Sequence, residues 1–127
     1  MAHRLIVVLA IVAVGAAFPT SAQANHRKVL CGNFSGQGMA PHLARKPARC
    51  DVTRYRRGIP AEVMRLRSMN WTRWGARAKG RGSVDGRGGT VVRLRRGRRC
   101  GPNGEYRVYS EMKIGSNSWR RILYCGD

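Results

Sequence analysis

Acidic residues are scarce in this chain. Six occur in 127 positions, Asp51, Glu62, Asp85, Glu105, Glu111 and Asp127, against 25 Lys and Arg. None forms a local pair with a histidine or a second acid, so acid–base chemistry would require folding to bring such groups together. Histidine is rarer still: after Ala24 only His26 and His42 remain. Lysine supplies four of the cations and arginine the rest. Long apolar runs are absent apart from Leu5–Phe18, about fourteen residues, short of the roughly 20 that a bilayer-spanning helix needs. No heptad, internal repeat or sustained helical period appears. Gly80–Gly89 lacks the Gly-Lys-Ser/Thr of a phosphate loop, and no other cofactor motif is present.

Arg4, the apolar run and Ser-Ala-Gln-Ala ending at Ala24 match the three parts of a secretory signal. Cleavage after Ala24 is expected, with residues 25–127 forming one small domain and no integral membrane segment left. The formal charge is +19, and loss of Arg4 leaves +18. Such a balance attracts any polyanion in reach, whether nucleic acid, acidic polysaccharide or an anionic envelope polymer. It also disfavours self-association, so a monomer is expected. The preference for Arg over Lys has two readings, guanidinium recognition of phosphate or carboxylate and the codon bias of a GC-rich genome.

Cys31, Cys50, Cys100 and Cys125 all follow the signal. An even count in a small exported domain implies two disulfides, and no pair has the close spacing of a zinc knuckle. Three connectivities exist. Cys31–Cys50 with Cys100–Cys125 is favoured, each bridge closing a loop worth about 3 kcal/mol.

Strand patterns dominate the rest. Val29–Cys31 reads as a short strand and Gly32–Pro47 as a loop carrying His42. Arg49–Tyr55 reads as a strand, and Arg56–Pro60 as a turn. From Glu62 to Trp71, Met64 and Leu66 alternate with Arg65 and Arg67, favouring a strand over a helical turn at Ala61–Leu66. Trp71 and Trp74 are expected in the core, with a bulge near Thr72–Gly75 turning both inward. Gly80–Gly89 reads as a flexible basic loop. Thr90–Arg95, Tyr106–Ile114 and Trp119–Cys125 form a three-stranded meander. In it, a Cys100–Cys125 bridge would link outer strands nearly 10 Å apart, beyond the roughly 7 Å that a disulfide spans. The fold class is all-β, a small disulfide-stapled antiparallel sandwich or open barrel of about five to seven strands.

Alternation puts Arg65, Arg67, Arg93, Arg95, Arg107 and Lys113 outward, with Tyr109 among them as a stacking ring. Adjacent strands would make these an anion-binding face. Two alternatives remain open. One is a basic nuclease using Glu105 or Glu111 with His42. The other is a membrane-active toxin, for which no amphipathic helix is apparent.

Trp71-Thr-Arg-Trp74-Gly75 followed by Ala78, Gly80 and Gly82 resembles a Trp-x-x-Trp-Gly…Ala-x-Gly-x-Gly stretch of small secreted actinobacterial proteins of unknown function. The similarity runs from about Arg65 to Tyr109. It implies export and a β fold, and carries no activity or catalytic residue. Similar proteins often hold extra cysteines in the glycine-rich region, where this chain has none between Cys50 and Cys100.

Overall fold

The computed structural model describes residues 26–32, 39–123 and 125. The expected export signal lies outside the described residues. Within them every regular element is a strand, and no helix is long and apolar enough to cross a membrane. β1 (Val29–Cys31) and β2 (His42–Ala44) form a small antiparallel sheet. Then β3 (Cys50–Arg56), β4 (Ile59–Arg73), β5 (Ala78–Val84), β6 (Arg87–Cys100), β7 (Tyr106–Ile114) and β8 (Arg120–Arg121) follow one another around an antiparallel ring. The ring makes the expected barrel a closed one, and β6–β7–β8 is the expected C-terminal meander.

Two turns set the register of the long strands. Arg57-Gly58 and Asp85-Gly86 each have positive φ at both central positions, 53° and 78° in the first, 49° and 85° in the second. That is the type I′ geometry whose twist suits a two-residue hairpin. The second turn corrects the expectation of a loop over Gly80–Gly89. Asp85-Gly86 is the hairpin tip, and the glycines before it belong to β5. They are there for space: a Cβ on Gly80 would lie 2.7 Å from the Trp71 ring, and one on Gly82 would lie 2.6 Å from Met69 Sδ. Trp71 sits directly across from Gly80 in the β4–β5 register, so the indole lies over backbone that has no side chain of its own.

β4 breaks register between Arg67 and Asn70, where Ser68 has φ 52°, and again between Trp71 and Arg73. These irregularities allow two tryptophans three residues apart to face the same interior. Trp74 is buried and Trp71 half-buried, their rings 5.1 Å apart edge to face. Each indole N–H is satisfied at 2.8 Å, Trp71 by Pro47 O and Trp74 by Arg27 O. Val52, Leu66, Val92, Leu94, Met112 and Ile122 fill the same core.

The seam between β7 and β3 has two fillings. At one place β8 spans it, pairing with Glu111 and Met112 on one side and Tyr55 on the other. Further along, the start of the described chain does so. Lys28 N donates to Arg107 O, Tyr109 N donates to Lys28 O, and Gly32 N donates to Asp51 O. The Cys31–Cys50 disulfide fastens β1 to β3 at that seam. Cys100–Cys125 ties the end of β6 to the C-terminal tail, Cα atoms 5.5 Å apart. The conflict with strand spacing disappears because regular pairing ends at Arg121. After Ile122 N donates to Ser110 O, Leu123 packs with Cys100 and Val108, and the tail no longer holds an outer-strand position.

Candidate anion-binding surface

Arg93 and Lys113 are direct cross-strand partners on β6 and β7. Lys79 on β5 pairs with Arg93 from the other side, and Arg73 at the end of β4 pairs with Lys79. Residues directly opposite each other in a ladder point to the same face. Their neighbours Val92 and Leu94 are buried in the core, so this is the outward face. Arg73, Lys79, Arg93 and Lys113 therefore form one row across four strands, about 14 Å long at ordinary strand spacing. Arg81, exposed and two residues along β5 from Lys79, flanks it.

No acid neutralises this row among the described residues. Asp51 accepts from Arg67 at 2.7 Å, Glu62 from Arg54 at 2.8 Å, and Glu111 from Arg95 at 3.0 Å and Arg96 at 3.2 Å. Asp85 accepts from the Arg65 backbone N–H, and Glu105 from that of Asn103. Like charges directly opposite one another destabilise a sheet, each contact by under about 1 kcal/mol in water. An approaching polyanion would turn that repulsion into attraction.

The expected site residues separate accordingly. Arg93 and Lys113 lie in the row. Arg65 is exposed on β4, its backbone N–H engaged by Asp85. Arg67 is committed to the buried Asp51 and to Leu66 O. Arg95 is held by Glu111 and stacks 3.9 Å from the Trp119 ring centroid. Arg107 stands apart from the row, directly opposite Arg99 near the β6–β7 turn.

Tyr109 is a correction. It is fully buried, 5.2 Å edge to face from Trp74. Its hydroxyl donates to Gly75 O and accepts from Gly75 N–H. Alternation failed as a guide because both faces of β7 are covered there. Val108 packs with Leu30, Leu43 and Leu123, while Tyr109 meets Trp74. Burial raises the Tyr109 phenol above its usual range, an effect partly offset by the bond with Gly75 and the charge of Arg27.

Lys79 and Arg81 escape sequence reasoning because a loop reading of Gly80–Gly89 hides β5, and Arg73 because it falls in the expected bulge at the end of β4. Asp85-Gly86 was the signal that could have found the first two. Of the groups considered for a nuclease, His42 lies exposed on β2 with Nδ1 2.8 Å from Ala40 O. Glu111 is occupied by two guanidiniums. An open cavity of about 530 Å³ lies elsewhere, lined by Glu62, Met64, Val84, Arg87, Ile114 and Arg120.

No protein-family model matches the chain, and neither a curated protein nor a solved structure matches it.

Proposed function

We propose that this protein is an exported, non-enzymatic binder of an anionic polymer at or outside the cell envelope, and that the row Arg73–Lys79–Arg93–Lys113 is its main contact. The observation that carries the reading is that row itself, four cations in register with no acid within 4.0 Å among the described residues. A formal charge of +19 attracts polyanions in general. A row held by backbone pairing adds fixed geometry to that attraction. Two disulfides are compatible with an oxidising, extracellular setting, and the resemblance to small secreted actinobacterial proteins points the same way.

The test is a salt titration of the oxidised protein against single-stranded nucleic acid and an acidic polysaccharide, beside the Lys79→Ser/Arg93→Ser double variant. A specific face predicts that one polymer still binds at physiological salt and loses about tenfold in the variant, with a log–log salt slope shallower by about 1.4 for a single strand. Equal weakening of both polymers by salt, with no effect of the double variant beyond its lost charge, would leave only general counterion release.

A further inference from the structure

We infer that a second site, at the β6–β7 turn, holds a nucleotide unit, and that the anionic polymer is therefore a single-stranded nucleic acid. The inference rests on the polyanion reading for its partner but on different residues. Arg99 and Arg107 are direct cross-strand partners. Lys28 is bonded through its backbone N–H to Arg107 O. Together with His26, Glu105 and Tyr106 they line an open surface cavity of about 670 Å³. Arg99, Arg107 and Lys28 have no acid within 4.0 Å among the described residues. Glu105, the one carboxylate among the described residues that line the cavity, has an oxygen 2.9 Å from the Asn103 backbone N–H it accepts.

The ring is what makes this pocket different from the row. Tyr106 is 44% exposed, and only Ile59 joins it as an exposed large hydrophobic among the described residues. It is also braced. Gly101 has φ +94°, and a Cβ there would stand 2.9 Å from Tyr106 Cδ2 and 3.0 Å from the Glu105 carboxyl carbon. The missing side chain lets the ring and the carboxylate settle against the turn. Gly104, with φ +63°, likewise leaves room for Arg99, whose Cβ would be 3.4 Å from an added Cβ. The result is one cavity lined by an exposed aromatic ring, two cross-strand arginines and a lysine.

A nucleotide offers what these groups need, a flat base for the ring and a phosphate for the cations. An acidic polysaccharide supplies the anion and no base to stack. Arg99 lies six residues beyond Arg93 on the same strand, about 20 Å at strand rise, so one extended strand of nucleic acid can engage both places.

The experiment measures fluorescence anisotropy of the full chain with an end-labelled oligothymidylate of about twelve nucleotides, a length within the usual range for such sites. The partner probe is an abasic sugar–phosphate strand of the same length, and a heparin fragment of matched charge serves as competitor. The expected result is oligothymidylate binding about tenfold tighter than the abasic strand, the gap one stacked base provides. Tyr106→Ser should close that gap by weakening only the base-bearing strand, and Tyr106→Phe should keep it open. Equal affinity for the two strands, or a gap that survives Tyr106→Ser, overturns the inference. So does heparin binding more tightly than the oligonucleotide, or the absence of binding to either strand at low salt. Lys79→Ser/Arg93→Ser separates the two readings. If it leaves both affinities unchanged while the gap persists, the row fails and the pocket stands.

Discussion

The two ends of the β6–β7 ribbon differ from its middle, although all of it is rich in arginine. At the ends, Arg93 faces Lys113 and Arg99 faces Arg107, cation against cation. In the middle, Arg95 faces Glu111, and Gly97 faces Tyr109. Arg95 is held there by a carboxylate and by the Trp119 ring. Tyr109 fills space against Trp74, with no side chain opposite to obstruct it. In this ribbon the arginine whose cross-strand partner is an acid becomes part of the frame, and those whose partners are cations stay available. The total of 25 basic residues thus overstates the binding surface, and register identifies the residues that remain.

Substitutions should divide along the same line. The largest effect is expected in the middle. Tyr109→Ala removes a fully buried ring and both hydrogen bonds to Gly75, which should cost about 4 kcal/mol, read as a lower denaturant midpoint. Arg93→Ser with Lys113→Ser, four residues from Tyr109 on β7, should leave stability within about 0.5 kcal/mol, because relief of like-charge repulsion offsets the lost stem packing. Its cost should appear in binding, as a roughly tenfold loss for a single-stranded polyanion at low salt and a slope shallower by about 1.4. A double variant that lost stability as severely as Tyr109→Ala would abolish the distinction between ends and middle.

A smaller change should convert the middle into an end. Glu111→Gln releases Arg95 and Arg96 from their shared carboxylate, which is 17% exposed. Stability should fall by about 1 kcal/mol, as for a partly screened pair. Polyanion affinity should rise about threefold, with a salt slope steeper by up to about 1.4 as two more cations become available. Unchanged affinity would mean that Arg95 stays bound to Trp119 and that the ring, rather than the acid, removes it from the surface.

Much of the frame was legible from local pattern. Alternation from Tyr106 to Ile114 gave β7, and Met64 and Leu66 against Arg65 and Arg67 gave the middle of β4. The tryptophans gave the core, and cysteine order gave both bridges. What could not be read was everything that depends on who lies opposite whom. Asp51 with Arg67 and Glu111 with Arg95 are each sixteen residues apart, so local sequence does not reveal which cations are neutralised. Reading Gly80 and Gly82 as loosened backbone hides β5, and with it Lys79, one of the four cations of the row. Alternation places Tyr109 outward because nothing near it in sequence announces that Leu30 and the turn at Gly75 cover the two faces of its strand. Tyr106 is the reverse case, an expected inward residue left exposed at the ribbon's tip.

The smallest effect expected is one of pH, and it concerns the middle of the ribbon. Burial raises the Tyr109 phenol above the ordinary tyrosine value of about 10. As pH climbs past that value the unfolded chain gives up its proton first, so the unfolded state binds fewer protons than the native one. Stability must then decrease with pH. The contribution is fully present below about pH 10 and is lost as pH rises through the native value. Tyr55, also raised by burial, adds a part in the same direction. Tyr109→Phe keeps the ring against Trp74 and removes the proton. Its stability near neutrality should drop by about 1 kcal/mol for the lost bond to Gly75 O, while its decline between roughly pH 9.5 and 11 becomes shallower than in the unaltered chain. Denaturant midpoints collected across that range test the point. Parallel curves for the two proteins would mean that Tyr109 ionises as readily folded as unfolded. The closed packing that sets the middle of the ribbon apart from its ends would then have no energetic signature in this residue.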